Sequence, residues 1–305
     1  LPDRQLQPPA CAADGEYQIQ GDEMKLATFR IGDKDTYGAV SAEGVTDLGG
    51  RLGAKFPDLK ALLAGNGIAE AQSASQQGRV DAKLADITFL PVIRNPAKII
   101  CIGHNYEEHR LETQREKSEH PTVFLRLAES LTGHDRPLLC PRESKAFDYE
   151  GEIAIVIGKP GRRIQEADAW QHIAGYACFN DGSVRDWQRH TTQFTPGKNF
   201  VETGAFGPWM VTADELPPGT MMSLTTRLNG QVMQKASTDM LIFSFPRLIA
   251  YCSTFVPLAV GDVIVTGTPG GVGARRTPPV FMKAGDVVEV DVDRIGVLRN
   301  VVAVD

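Results

Sequence analysis

Apolar and polar positions alternate in short bursts over the first third of the chain. The stretches 26–31, 37–40 and 44–48 each read as a strand bounded by glycine and aspartate turns. Residues 58–63 carry helical spacing and are followed by Gly65 and Gly67 as stop signals. From Lys98 onward the apolar runs become continuous. Residues 98–103, 147–158 and 173–179 read as buried strands and 120–127 as another strand, with helices near 167–172 and 248–252. The last third returns to strand and turn, punctuated by Gly261-Asp262 and Gly285-Asp286, as in a β-rich core that curls on itself. The pattern predicts a mixed α/β, β-rich protein with a small β-rich N-terminal domain over 24–95. A Pro-containing linker at 90–96 separates it from a larger domain over 96–305. Residues 1–23, rich in Gln, Pro and Ala, read as an extension or a cloning remnant, with Met24 as a natural start.

Composition narrows the partners. At 305 residues, 42% apolar and 23% charged, the chain has ample core and no disorder signature. A net charge of −6 without a basic cluster argues against nucleic acid, and no apolar run approaches the ~20 residues of a membrane span. The five cysteines are odd in number, widely spaced and without a Cys-x-x-Cys pair, and the N-terminus lacks a secretory signal. A soluble protein of the reducing cytoplasm is expected.

The chemistry gathers around Glu150 and Glu152, which open the strand 147–158 with Gly151 between them. Strand alternation points both carboxylates to one face, where they repel each other unless a cation sits between them. An exposed edge strand with solvated acids is the alternative reading of such a pair. All six histidines fall between His104 and His190, around the acidic pair. His109 and Glu112 stand at i, i+3, a spacing that serves an oriented general base or a surface ion pair. Asp181 ends the strand 173–179, either as a turn residue or as a third ligand. Two glutamates and an aspartate form an all-oxygen set that selects Mg²⁺ or Mn²⁺, with Ca²⁺ also compatible. Arg185 and Gln188 follow Asp181 at i+4 and i+7, and Lys198 is fixed between a Pro-Gly turn and Phe200. The glycine run 267–273 has neither the ending of a Walker motif nor the spacing of a dinucleotide fingerprint.

Taken in order, several motifs resemble the fumarylacetoacetate hydrolase superfamily over Lys98 to about Val302. They are Gly103 with Asn105-Tyr106 and His109 to Glu112, then Tyr149-Glu150-Gly151-Glu152, and Asn180-Asp181 with Ser183, Arg185-Asp186 and Gln188. Gly197-Lys198, Thr266-Gly267-Thr268-Pro269 with Gly271-Val272-Gly273, and the closing residues 296–300 complete the set. The resemblance implies a mixed β-sandwich roll, usually dimeric, with Mg²⁺ or Mn²⁺ held by Glu150, Glu152 and Asp181. It implies a His109–Glu112 dyad on a short lid, and a substrate site lined by Lys198, Arg185, Gln188 and Thr268, to which Tyr106 is added. Arg126-Leu127 replaces the Lys-Pro pair of many relatives, and Arg126 is read as a second candidate for holding a substrate carboxylate.

The implied activity is metal-dependent C–C hydrolysis of a 1,3-dicarbonyl or 2,4-dioxo acid of the acylpyruvate or fumarylpyruvate kind, in catabolism. His109 would activate water, and Lys198 with Arg185 would supply positive charge. Decarboxylation of a β-keto acid such as oxaloacetate, or isomerisation of an unsaturated 2-oxo diacid, is the alternative on the same site. A non-catalytic acid-binding protein ranks third, since it has no use for a base, its orienting carboxylate and a metal together.

Overall fold

The computed structural model describes residues 24–77 and 79–305. The expectations for residues 1–23 lie outside the described residues. The chain opens with a meander, β1 (Lys25–Ile31), β2 (Lys34–Ser41) and β3 (Gly44–Asp47), followed by three helices, α1 (Leu48–Leu52), α2 (Leu59–Ala64) and α3 (Ile68–Gln77). Asp58 caps α2 by accepting from the Ala61 amide at 2.7 Å, which satisfies one of the free donors of the first turn. Short β4 (Ile87–Phe89) pairs with β1 before the chain enters β5 (Ile99–Gly103), α4 (Glu107–Glu112), β6 (Thr122–Arg126) and β7 (Leu131–Thr132).

The middle of the chain holds β8 (Leu138–Cys140), β9 (Phe147–Asp148), β10 (Gly151–Ile157), β11 (Ile173–Asn180) and β12 (Ser183–Val184). Two short helices follow, α5 (Arg185–Gln188) and α6 (Thr195–Lys198), then β13 (Gly204–Thr212). The last third contributes β14 (Ser223–Leu228), β15 (Gln231–Ser237), α7 (Phe245–Phe255), β16 (Val263–Val265), β17 (Val287–Val292) and β18 (Gly296–Val304). The helix expected near 167–172 is a 3₁₀ turn, Glu166–His172, against which α7 packs.

Two sheets form the roll. The larger runs β3-β2-β1-β13-β11-β10-β16-β5-β6, with β4 and β7 on its flanks, and the smaller runs β15-β14-β17-β18-β8. The N-terminal meander is continuous with the larger sheet, because β1 pairs antiparallel with β13 through Lys25 and Val211. Central strands feed two cores by simple alternation: Ile153, Ile155 and Ile157 of β10 join Leu224, Val288 and Val290 between the sheets. Ala154 and Val156 face the opposite core, with Leu26, Leu48 and Leu62 from the N-terminal segment. Strands covered on both faces read as unbroken apolar runs, which is why residues 151–157 show no polar alternation beyond Glu152.

Among the described residues no helix is long and apolar enough to cross a membrane. Cys101, Cys140, Cys178 and Cys252 are free thiols.

Candidate active site

Register builds the acidic cluster. β10 and β11 run antiparallel with Gly151 opposite Asn180 and Glu152 opposite Phe179, and the Asp181 amide donates to the Glu150 carbonyl at 2.8 Å. Side chains at even positions of β10 share a face with those at odd positions of β11, so Glu150, Glu152 and Asp181 converge. One oxygen from each lies within 4.8 Å of the others, and all three residues are buried. Gly151 keeps the opposite face bare because the smaller sheet passes close: a Cβ there would sit 2.0 Å from Thr226 Oγ1.

The cations are distributed unequally. Lys198 Nζ lies 2.6 Å from Glu150 Oε2 and 2.5 Å from Asp181 Oδ2, and Arg185 Nη2 lies 2.7 Å from Glu150 Oε1. That arginine contact is an ion pair without hydrogen-bond alignment, since the Nη2 donor has no aligned acceptor. Burial alone would push the Glu150 carboxyl up, but Arg185 and then Lys198 outweigh it and hold it well below the usual range. Burial likewise pulls on the Lys198 ammonium, and Asp181 with Glu150 keeps it charged. Glu152 has only a backbone partner, the Gly267 amide at 2.5 Å, and no ion-pair partner among the described residues. Burial, and then Asp181 and Glu150, push its carboxyl well above the usual range. Three carboxylates on one buried face, one of them without a cation, fit a hard divalent ion by donor type and by charge.

Arg126 does not face the substrate cavity. Its Nε donates to Ser130 Oγ, its Nη1 to Asp181 Oδ1 and the Gly182 carbonyl, and its Nη2 to the Ser130 carbonyl and Thr203 Oγ1. A guanidinium has five N–H donors, so none remains for a substrate carboxylate. The side chain is fully buried and buttresses the Asp181 carboxylate from behind. Tyr106, also expected at the substrate, is 2% exposed and stands outside the cavity wall, where its backbone bridges to Leu241.

His109 and Glu112 sit on α4. Nδ1 of His109 lies 2.7 Å from Glu112 Oε1, and Glu112 Oε2 accepts from the Gly271 amide at 3.0 Å. An ionised carboxylate can only accept, so in the neutral imidazole this contact places the proton on Nδ1 and turns Nε2 into the acceptor. His104 stacks on His109 with ring centroids 5.4 Å apart and planes at 14°. Burial first, and then His109, push the His104 imidazole down to about 4, so it is neutral near pH 7.

One cavity of about 820 Å³ is lined by His104, His109, Glu150, Glu152, Arg185 and Lys198 among others, with Glu112 and Asp181 behind its wall. Gln188 and Thr268 also line it. Gln188 Oε1 accepts from Arg185 Nη1 at 3.0 Å, and Thr268 Oγ1 donates to the Gly151 carbonyl at 2.9 Å. Asp148, buried two residues before Glu150, accepts from Arg185 Nε at 2.8 Å and from the amides of Gly273 and Ala274 at 2.8 and 3.0 Å. It ties α5 to the glycine-rich loop. Gln234 accepts from the Gly151 amide at 2.9 Å and donates to Thr268 Oγ1 and the Pro269 carbonyl.

Sequence reasoning passed over Asp148, His104 and Gln234. Asp148 lay inside the acidic stretch and only its carboxyl type marked it. Gln234 gave no signal: a register shift opposite Thr226 and Arg227 turns it inward from a hairpin strand that otherwise reads as polar surface.

Residues 98–303 match the model of the fumarylacetoacetate (FAA) hydrolase C-terminal family. The chain belongs to the fumarylacetoacetate hydrolase family. It is 41% identical over 232 residues to the protein named oxaloacetate tautomerase fahd2, mitochondrial, of Xenopus laevis, covering 75% of this chain and 73% of that one. Among solved structures it is similar to 5-carboxymethyl-2-hydroxymuconate delta-isomerase from Mycobacterium smegmatis, with a TM-score of 0.73 and 31% identity over 92% of this chain and 99% of that one. Maleylpyruvate hydrolase from Sphingobium sp. SYK-6, in complex with manganese(II) and pyruvate, gives a TM-score of 0.77 and 28% identity over 92% and 99%. Membership of this family makes the chain an enzyme of the fumarylacetoacetate hydrolase type. The mixed, β-rich roll is the fold of these neighbours, and a divalent metal suits both the buried triad and the manganese-bound hydrolase.

Proposed function

We propose that this enzyme catalyses keto–enol proton transfer on a small dicarboxylic 2-oxo acid of the oxaloacetate class. One observation carries the reading: the Glu112-oriented base His109 lines the same cavity as Glu150 and Glu152, two of the three carboxylates of the buried triad. The name of the Xenopus relative supports the direction of the assignment.

Glu150, Glu152 and Asp181 would hold Mg²⁺ or Mn²⁺, with Ca²⁺ also compatible. When bound, such an ion polarises the 2-oxo oxygen and stabilises negative charge on it. The protein supplies the rest. Lys198 and Arg185, held against the triad on the wall of the same cavity, add fixed positive charge there, which favours an enolate over the neutral ketone. His109 Nε2 takes the proton from the carbon next to the keto group, and Glu112 steadies the imidazolium that results. Return of that proton to the enolate oxygen gives the enol, so a C–H bond is exchanged for an O–H bond with no water consumed. His104, neutral beneath His109, adds no charge that would oppose protonation of the base.

C–C hydrolysis of an acylpyruvate is the second reading, favoured by the same dyad, which can equally activate water, and by the fold shared with maleylpyruvate hydrolase. A homodimer is also proposed. Leu125 and Leu127 are 51% and 57% exposed on one edge, and Asn199 fastens that edge to α6 beside exposed Val201.

The deciding experiment follows ultraviolet absorbance of enol oxaloacetate and of acylpyruvates with the Mg²⁺- or Mn²⁺-loaded enzyme, with products identified by mass spectrometry. Faster interconversion of the two oxaloacetate forms than of any acylpyruvate into acids is expected. Cleavage of an acylpyruvate with the higher kcat/KM would put the hydrolase reading in its place.

A further inference from the structure

Apart from Glu150 and Glu152, the cavity wall carries seven lysine and arginine side chains and one carboxylate, Glu116, in a chain of net charge −6. The cavity is therefore built for anions, against the charge of the whole protein. Arg185 and Lys198 are committed to the triad, and Arg110 is committed to Glu107 through contacts of 2.9 and 2.6 Å. Two others stand out by where the fold puts them.

Arg189 lies one helical turn beyond Arg185, at the C-terminal end of α5. Arg275 follows Gly273 and Ala274, whose amides are bound by the Asp148 carboxylate that also holds Arg185 Nε. Asp148 thus ties the segment that carries Arg275 to α5, at whose end Arg189 lies, and Arg189 is close enough to Arg185 and Arg275 to feel the charge of both. Neither guanidinium has a hydrogen bond or ion pair among the described residues. Partial burial, and then Arg185 and Arg275, hold the Arg189 guanidinium below its ordinary value, so the group senses both neighbours. Asp148, already bound to Arg185 Nε and two amides, offsets only part of this crowding of like charges, and a bound anion relieves the rest.

We propose that Arg189 and Arg275 form the subsite for the distal carboxylate of the substrate, an inference that rests on the enol-chemistry reading above and names the residues that select its second carboxylate. The head of the 2-oxo acid lies at the triad with Lys198 and Arg185. The second carboxylate then reaches the two unpaired guanidiniums, whose planar donors suit a bidentate acceptor. A substrate ending in a methyl group or an ester leaves both arginines uncompensated.

The test compares oxaloacetate with its 4-methyl ester, which keeps the 2-oxo acid head and loses the distal charge. With the Mg²⁺-loaded full chain, the preference in kcat/KM for the diacid should fall about tenfold in Arg189→Gln or Arg275→Gln and about a hundredfold in the double variant, as for loss of charge-assisted hydrogen bonds. Arg275→Lys, which keeps the charge without the fork, should retain part of the preference. Both side chains are exposed, so the variants should melt with the wild type. A preference within about threefold of wild type in the double variant overturns the subsite. If the wild type turns over neither compound, the enol-chemistry reading fails. Calorimetric affinities of the loaded protein for oxaloacetate and the ester then decide the subsite by the same ratio.

Discussion

Replacing Gly151 by alanine tests whether the ligand face is set by packing between the two sheets. The added Cβ would lie 2.0 Å from Thr226 Oγ1, 3.2 Å from Thr226 Cβ and 3.3 Å from Val290 Cγ1. Carbon atoms pack at roughly 3.5–4.0 Å, so β10 and β14 must part by about an ångström at this point. Overpacking of this kind costs about 1–3 kcal/mol and the better backbone entropy of alanine returns roughly 0.5–1, leaving a net loss of about 1–2 kcal/mol. Thr226 Oγ1 is buried without a hydrogen-bond partner, so Thr226→Ala removes the obstacle and leaves no donor or acceptor stranded. The double variant should recover most of the loss, giving a coupling of about 1–2 kcal/mol in a denaturant-unfolding cycle. Because Glu150 and Glu152 flank the wedge, calorimetry should show Mn²⁺ affinity falling on the order of tenfold in Gly151→Ala and returning in the double variant. Additivity of the two substitutions within about 0.5 kcal/mol, with unchanged Mn²⁺ affinity, would refute the argument.

Asp181→Ala should abolish Mg²⁺ and Mn²⁺ binding by calorimetry, and exhaustive chelation of the wild type should stop turnover; activity without metal would contradict both. Arg126→Met strips Asp181 Oδ1 and the carbonyls of Gly182 and Ser130 of their buried donor while Lys198 keeps Oδ2, so we expect a loss of about 3 kcal/mol in unfolding free energy. It should leave the KM ratio between diacid and ester where it was, and a change in that ratio would restore Arg126 to the substrate. His109→Ala should slow proton transfer by roughly 10²–10⁴-fold and Glu112→Gln by less, because the ring remains; a loss of only a few-fold makes the dyad a mere ion pair. The His104 imidazole is lowered from its ordinary 6.5 to about 4. Its stabilising effect is therefore present above pH ~6.5 and is lost as pH falls through that window. Asn tolerates the left-handed backbone at this position (φ 56°), so His104→Asn should gain on the wild type as pH drops from about 6.5 to 4, read from urea midpoints. A constant difference across that range would show no titration.

What the sequence made legible was whatever depends on alternation and short spacing. Glu150 and Glu152 on one face follow from strand period two, and the His109–Glu112 contact follows from one helical turn. The helix over 58–63, closed by Gly65, was visible in the same way, although its cap at Asp58 was not. Long-range pairing was not visible. That Arg126 spends every donor on Asp181, Gly182, Ser130 and Thr203 depends on β6 lying near the end of β11, which no local pattern encodes. The inward turn of Gln234 depends on a local register shift, and the role of Asp148 depends on a loop more than a hundred residues downstream. Motif order carried the assignment of the triad further than physics alone did, because the register of β10 against β11 was unknown.

The continuity of β1 with β13 has a consequence for recombination. The matched family segment begins at residue 98, yet Phe206, Met210, Ala177 and Val156 in that segment are covered by Leu26, Leu48, Leu59 and Leu62 from before it. A graft that exchanges residues 98–303 between relatives would arrive with this apolar underside bare and the edge of β13 open. Such surfaces seek other strands and other chains. Chimaeras that carry residues 24–95 from the same parent should stay dispersed at concentrations where the bare graft aggregates, so the unit of inheritance for this enzyme is longer than its chemistry.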